Sequence, residues 1–232
     1  ARLKKGELIH MYNHEFYLKI FREFEVDDTP ETFEPCNIGH INTTLMVRCD
    51  GQIKYVLQKI NTSIFKKPAE LIENILNVTD FIKKKVLAAG GDPTREVLRL
   101  IPTRDGTFYT TDADGCVWRM YYFIIGAKTF QTAETPELFY NSALAFGKFQ
   151  RMLSDFPADK LHETIPNFHN TVSRFADFKK ALADDVAGRA DSVREEVQFL
   201  LDHEGICSYI TDRIASGEYP LRVTHNDTKL NN

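Results

Sequence analysis

The fold of this chain is decided by the segment Val223-Thr224-His225-Asn226-Asp227-Thr228-Lys229-Leu230-Asn231-Asn232. A histidine stands two positions before Asp227, a lysine two positions after it and an asparagine five positions after it. Four residue types at these offsets are expected by chance in fewer than about 1% of chains of this length. A polar turn after a short strand, predicted at residues 221–223, is the alternative interpretation.

The chemistry that this spacing suits is phosphoryl transfer. That reaction needs a carboxylate to accept the proton of the attacking hydroxyl, an oxygen ligand for magnesium and a cation for the phosphate charge. Asp227, Asn232 and Lys229 are the candidates for these three roles, with His225 beside them. Kinase catalytic loops share the same His-x-Asp pattern with a later asparagine. The segment therefore predicts a phosphotransfer loop.

The rest of the chain changes character near residue 126. Before it, the apolar pattern predicts a leading helix at 6–25 and a helix after Pro68 whose apolar stripe includes Leu71 and Ile75. An Asp50-Gly51 pair predicts a hairpin. The predicted strands cover residues 41–49, 54–60, 96–101, 107–111 and 116–125. The helices predicted after residue 126 cover residues 136–155, 169–186, 191–203 and 206–217.

Composition narrows the class of protein. The 232 residues carry a net charge of −4, and no cluster of Lys and Arg forms a nucleic-acid footprint. No apolar stretch approaches the roughly 20 residues that a membrane span needs, and residues 1–5 lack the apolar core of a signal peptide. Four cysteines lie far apart, which is typical of a reduced, cytoplasmic protein. They are Cys36, Cys49, Cys116 and Cys207.

Four segments resemble the aminoglycoside phosphotransferase and choline kinase superfamily, and within it the N-acetylhexosamine 1-kinase group. They are Glu34–Thr44, Tyr55–Asn61, Pro166–Thr171 and Thr224–Asn232. The resemblance implies an α+β, protein-kinase-like fold of two lobes, with a five-stranded antiparallel sheet and a helix followed by a helical lobe. The expected lobes are residues 1–125, which bind nucleotide, and residues 126–232. The expected second metal-binding aspartate lies beyond Asn232, so the C-terminal part is expected to be missing.

The resemblance also implies a nucleotide site. A loop between the first two strands covers the phosphates, which assigns Gly39, Asn42 and Thr43 to cofactor binding. His40 and Asn42 are alternatives for a contact with the substrate. The third strand normally carries a phosphate-binding lysine paired with a helix carboxylate. Here Gln58 stands in that place with Lys59 one position on, and only one of the two can face the nucleotide because side chains alternate along a strand.

Further site residues follow from the same resemblance. Glu73 is the candidate helix carboxylate, although it lies opposite the apolar stripe of its helix. Tyr122 and Phe123 belong to the expected adenine-binding hinge. In the helical lobe, the expected substrate residues are Phe168, His169 and Arg174, while Asn170 and Thr171 are equally suited to cap the next helix.

The expected activity is ATP-dependent and uses Mg²⁺. The predicted acceptor is a small molecule, most specifically the anomeric hydroxyl of an N-acetylhexosamine, which is acidic enough for a weak carboxylate base. Aminoglycosides, choline and homoserine are alternative acceptors for the same loop. A non-catalytic nucleotide- or sugar-binding module with this fold is the alternative from another class. Neither nucleic acid nor membrane is an expected partner.

Overall fold

A computed structural model describes residues 13–37, 41–228 and 230. Five antiparallel strands form one sheet with the order β1-β2-β3-β5-β4. The strands are β1 (Thr32–Cys36), β2 (Thr43–Cys49), β3 (Gln52–Lys59), β4 (Thr110–Thr111) and β5 (Val117–Tyr122). Seven α-helices lie in the described part of the chain. They are α1 (His14–Arg22), α2 (Pro68–Ala88), α3 (Pro93–Glu96), α4 (Pro136–Met152), α5 (Thr171–Asp184), α6 (Arg194–Asp202) and α7 (Tyr209–Ala215).

The β2–β3 hairpin is confirmed at its predicted turn. Asp50 and Gly51 both have positive φ, at 49° and 75°. Two consecutive left-handed residues are what a two-residue type I′ turn requires, and aspartate followed by glycine tolerates this conformation best. The twist of such a turn matches that of its strands, so the turn fixes the pairing that follows.

Two strand predictions are wrong, and one strand was not predicted. Residues 96–101 form no strand, because Asp92 caps a helical turn that starts at Pro93, and the residues after it touch β5 through the single bridge of Leu100 with Tyr121. Strand β1 was not predicted, since Pro35 interrupts it. Proline is tolerated there because β1 lies at the edge of the sheet. Residues 221–223 pair with no strand in the described part of the chain.

One face of the sheet is covered by helix α1. The helix begins at Asn13, whose Oδ1 accepts from the N–H of Phe16 over 3.0 Å, and it buries Tyr17, Ile20 and Phe21 at helical spacing. These three side chains pack on alternate residues of the central strands, including the fully buried Trp118. The indole N–H of Trp118 donates to Asp112 over 2.7 Å, so the core loses no hydrogen bond there.

The opposite face of the sheet is covered by helix α2. The first half of α2 packs Leu71, Ile72, Ile75 and Leu76 against β5 and its neighbours. Its second half packs Ile82 and Val86 against the end of α4 and the loop after it. Lys148 of α4 also binds Glu96 over 2.7 Å. The contacts of α2 thus join the sheet to α4.

The chain divides into two compact units. One comprises the described residues up to Thr164 together with those from Val223 onward, and the other comprises Ile165–Arg222. The predicted lobe boundary at residue 126 stays a prediction. In the part of the chain that the structure describes, no helix combines the length and the apolar character that a membrane crossing requires.

An ion-pair cluster beside the hairpin makes folding sensitive to acid. Lys54 donates to Asp28 over 2.7 Å, and the hydroxyl of Tyr55 also donates to Asp28. Lys54 and then Tyr55 hold the pKa of the Asp28 carboxyl below its usual value. A carboxyl with a lowered pKa stabilises the fold above its unfolded pKa, and this contribution is lost as the pH falls through the folded pKa.

We therefore expect Asp28→Asn to lower the free energy of unfolding at pH 7 by about 1 kcal/mol. It should also flatten the loss of stability between about pH 4 and pH 2, because one titrating group is removed. Urea unfolding at several pH values measures both effects. Asp27→Asn is the matched control, since that carboxylate is fully exposed. Equal acid slopes in Asp28→Asn and the unmodified protein would contradict the prediction.

Candidate active site

His225 anchors the predicted catalytic loop to helix α4. Its ring lies edge-on to two aromatic rings of that helix, with centroids 5.2 Å from Phe146 and 5.9 Å from Phe149. The backbone N–H of Asp227 lies 3.3 Å from Nδ1 of His225. That contact needs Nδ1 as the acceptor, so Nε2 carries the proton of the neutral ring. His225 therefore fixes the backbone on which Asp227 is carried.

Asp227 itself is exposed, whereas His225 is half-buried. An exposed carboxylate whose backbone is fixed by a neighbouring side chain is suited to accept a proton from a hydroxyl that arrives from solvent. Lys229 and Asn232 lie outside the described residues, so their predicted roles stay predictions. Within the described residues, no three His, Cys, Asp or Glu side chains converge as metal ligands.

A cleft of about 340 Å³ lies between α4 and the catalytic loop. Phe146, Phe149 and His225 form its apolar wall, and Asn141 and Ser142 of α4 provide polar groups. Leu230 closes the end that belongs to the loop. A ring-lined cleft with a few polar groups is the common form of a small-molecule site.

The loop between β1 and β2 is tied to the end of β3. Oδ1 of Asn42 accepts from the backbone N–H of Asn61 over 2.9 Å, and the side chain of Asn61 donates to the carbonyl of Ile41 over 3.2 Å. Thr43 begins β2 and pairs in register with Lys59. Gly39 and His40, the other residues predicted in this loop, lie outside the described residues.

A row of polar side chains crosses the three central strands on the face that α2 covers. Thr44, Gln58 and Arg119 are register partners on β2, β3 and β5. The amide nitrogen of Gln58 donates to Thr44 over 2.9 Å. Its amide oxygen accepts from Nε and Nη2 of Arg119 over 3.0 and 2.6 Å. Because guanidinium only donates, this contact fixes which end of the Gln58 amide faces Arg119.

Arg119 was not predicted as a site residue. Its Nη1 is inaccessible to solvent and has no hydrogen-bond partner among the described residues. Burial lowers the pKa of the Arg119 guanidinium, because removal from water disfavours the charged form. The signal was present in the sequence as one charged residue within the apolar strand Val117–Tyr122. A half-buried guanidinium with one donor that is inaccessible to solvent and unpaired points to an anion.

Gln58 and Lys59, the two candidates for the phosphate-binding position on β3, lie on opposite faces of the sheet. Gln58 faces α2, whereas Nζ of Lys59 lies 5.9 Å from the ring centroid of Trp118, on the face that α1 covers. The two side chains lie on opposite sides of the sheet, so they do not meet the same ligand.

Glu73 is not brought to the third strand. Its carboxylate lies 2.8 Å from Nε2 of His162, and its side chain is 59% exposed. The neighbouring Asn74 exchanges hydrogen bonds with the backbone of His162, over 2.8 and 2.9 Å. These residues hold the loop after α4 against α2. A lysine–glutamate pair of the usual kind is therefore absent at Glu73.

Two backbone N–H groups of the predicted adenine hinge donate within the protein. The backbone N–H of Tyr122 donates to Arg99, and that of Phe123 donates to Lys54 over 2.8 Å. The ring of Tyr122 lies under the guanidinium of Arg99 at 4.2 Å. Both predicted amides are therefore already used. Among the described residues, the N–H groups of Ile124, which belongs to the predicted hinge, and of Ile125, which follows it, have no acceptor, so they are its remaining candidate donors.

The predicted substrate residues of the second unit lie together. The ring centroids of Phe168 and His169 are 4.6 Å apart, and Arg174 donates to the carbonyl of Phe168 over 3.0 Å. Asn170 caps α5 by accepting from the N–H of Ser173, as the alternative interpretation predicted. Their contact with a substrate stays a prediction.

No protein-family model matches the sequence. Among solved structures, one similar chain is APH(2")-IIia in complex with GDP and kanamycin, with a TM-score of 0.55, 17% identity and 91% of this chain covered. Another is amicoumacin kinase hAmiN in complex with AMP-PNP, Ca²⁺ and Ami, with a TM-score of 0.50, 14% identity and 84% of this chain covered. This chain has a kinase-like fold. The predicted fold class is thereby confirmed, and the chain spans 64% and 56% of the length of those two proteins.

Proposed function

We propose that the protein is an ATP-dependent phosphotransferase that acts on a hydroxyl of a small molecule and belongs to the aminoglycoside phosphotransferase and choline kinase superfamily. The observation that carries this proposal is the exposed carboxylate of Asp227 on a loop that His225 fixes to α4. The kinase-like fold and the two similar nucleotide-bound structures support it.

Each residue of the loop has one task in this proposal. Asp227 orients the acceptor hydroxyl and takes its proton. His225 positions Asp227 through the backbone contact. Lys229 is assigned to phosphate charge and Asn232 to Mg²⁺, which when bound neutralises the phosphates of ATP. The N–H groups of Ile124 and Ile125 are assigned to the adenine edge.

For the acceptor we propose the anomeric hydroxyl of an N-acetylhexosamine. The cleft beside His225 supports a sugar-sized ligand, because ring-shaped molecules pack well on aromatic walls and its two α4 side chains offer hydrogen bonds. Aminoglycosides, choline and homoserine remain the alternative acceptors. Cytoplasmic location is part of the same proposal.

The test is ATP consumption with a panel of N-acetylhexosamines, aminoglycosides and amino alcohols. Phosphorylation at the anomeric position removes the reducing end of the sugar, so a reducing-sugar assay separates it from phosphorylation at any other hydroxyl. We expect consumption of ATP and of reducing ends in equal amounts. Turnover of amino alcohols alone would overturn the hexosamine assignment and leave the phosphotransferase intact.

One observation favours a non-catalytic binding module as the second candidate. Gln58 is the residue that we expect in place of the phosphate-binding lysine of the third strand, and its neutral amide, which accepts from Arg119, does not neutralise phosphate. Nucleotide binding without turnover of any acceptor would favour this candidate.

A further inference from the structure

The guanidinium of Arg119 lacks a counter-charge among the described residues. Two of its nitrogens donate to the neutral amide oxygen of Gln58, and Nη1 is buried without a partner. An isolated charge in a poorly solvated place is costly, and a neutral acceptor offsets only part of that cost. Such a group persists where another component supplies the negative charge.

Among the described residues, no carboxylate on this face pairs with Arg119, and Glu34 of β1 is bound by Arg48. Helix α2 faces the sheet with leucine and isoleucine side chains at positions 71, 72, 75 and 76. The two acids in its first half are engaged elsewhere, Glu70 with Lys67 and Glu73 with His162. Tyr121, two positions along β5, is the titratable neighbour, and burial raises the pKa of its phenol, which keeps it neutral. The described residues therefore leave the charge of Arg119 without a counter-charge.

The position of Arg119 fits a phosphate group. Gln58 occupies the third-strand place of the usual lysine, and Arg119 is its register partner on the next strand. Neighbouring strands lie about 4.8 Å apart, a gap that the longer arginine side chain spans. A guanidinium also offers paired donors that match phosphate oxygens, which an ammonium does not.

We propose that Arg119 of β5 supplies the phosphate-binding cation that kinase-like folds usually place on the third strand, with Gln58 as the residue that positions it. The ligand class is the polyphosphate of a nucleoside triphosphate, so this inference rests on the proposed function. Gln58 is then the hydrogen-bond acceptor that positions the Arg119 guanidinium, which explains why a neutral residue stands in the lysine's place. Thr44 completes the row by fixing the amide of Gln58.

The experiment measures the affinity of the protein for adenosine, AMP, ADP, ATP and inorganic tripolyphosphate by isothermal titration calorimetry. In the unmodified protein we expect affinity to rise with the number of phosphates. Arg119→Met should weaken ATP and ADP binding roughly 10- to 100-fold and leave adenosine unchanged. Arg48→Met is the matched control, because this arginine of β2 is paired with Glu34 over 2.7 Å and should leave the whole series unchanged.

A double variant guards against a folding defect. Gln58→Lys combined with Arg119→Met moves the cation to the third strand and should bring the ATP affinity back to within about tenfold of the unmodified protein. If Arg119→Met alone does not fold, two double variants are compared. The affinity for ATP relative to adenosine should be higher in Gln58→Lys/Arg119→Met than in Gln58→Met/Arg119→Met. Equal ratios in the two would overturn the proposal.

The outcomes separate this inference from the proposed function. Tight ATP binding that Arg119→Met leaves unchanged overturns the role of Arg119 alone. Equal loss of adenosine and ATP affinity also overturns it, since a purely structural arginine would do that. Binding of tripolyphosphate that depends on Arg119, without binding of adenosine nucleotides, supports the anion site and overturns the ATP-dependent function. Binding of neither probe overturns both.

Discussion

Replacement of Asp227 by Asn is expected to lower kcat about 100- to 10,000-fold while the affinity for ATP stays within about threefold. The amide has the size of the carboxylate and keeps the backbone contact to His225, but it takes no proton from the acceptor. Because the carboxylate is exposed, the amide stays in contact with solvent. Steady-state kinetics with the best acceptor of the panel, together with ATP titration, measure both quantities.

Asp80→Asn provides the matched control. Asp80 is an exposed residue of helix α2, so the same change of charge occurs away from the loop. We expect kcat within about twofold of the unmodified protein, as for most exposed substitutions. Retention of more than a tenth of kcat in Asp227→Asn would exclude Asp227 as the base. A parallel loss of ATP affinity would indicate a disturbed fold.

Replacement of Trp118 by Ala is expected to lower the free energy of unfolding by about 3–5 kcal/mol. The indole is buried at 1% exposure, packs against Phe16 and Tyr17 of the segment that forms α1, and binds Asp112. The loss is large against the roughly 5–15 kcal/mol that hold a domain together. Urea unfolding followed by circular dichroism is the measurement, since this is the single tryptophan of the chain.

Two further variants separate the contribution of the Trp118 hydrogen bond to the free energy of unfolding from that of its packing. Trp118→Phe keeps a ring in the core but removes the N–H donor to Asp112, so we expect a smaller loss, about 1–3 kcal/mol. Phe139→Ala removes an aromatic ring that is 67% exposed on helix α4, and its effect should stay under about 1 kcal/mol. Similar losses in Phe139→Ala and Trp118→Ala would show that the core was assigned to the wrong face of the sheet.

Local chemistry made part of the fold predictable. The Asp50-Gly51 turn, the helix that starts at Pro68 and the cap at Asn170 each depend on residues within a few positions of one another. Their conformational preferences are strong enough that the rest of the protein does not reverse them. The spacing around Asp227 is local in the same sense, and the catalytic role that it predicts stays a prediction.

Other elements depend on what they pack against. Strand β1 carries a proline, and only its place at the sheet edge makes that acceptable. Residues 96–101 have the composition of a strand, but the cap at Asp92 and Pro93 directs the chain into a helical turn first. Neither outcome follows from the pattern of apolar residues, because the place of β1 in the sheet is set by strands distant in sequence and the helical turn is set by the cap that precedes residue 96.

The candidate site shows the same division. Alternation along β3 established that Gln58 and Lys59 face opposite sides, but it did not say which side meets α2. Arg119 entered the site through its register with Gln58, and register between β3 and β5 is a property of the assembled sheet. One residue of slip would have placed Arg119 among the rings of the α1 core instead.

The two margins of the sheet have a consequence for how the protein behaves in concentrated solution. The outer strand β1 contains Pro35, which has no backbone N–H, and the opposite outer strand β4 is only Thr110–Thr111. A strand from a second molecule therefore meets an interrupted series of backbone N–H donors at β1 and only two residues to pair with at β4. Aggregation by sheet extension is therefore disfavoured at both margins, even at high protein concentration.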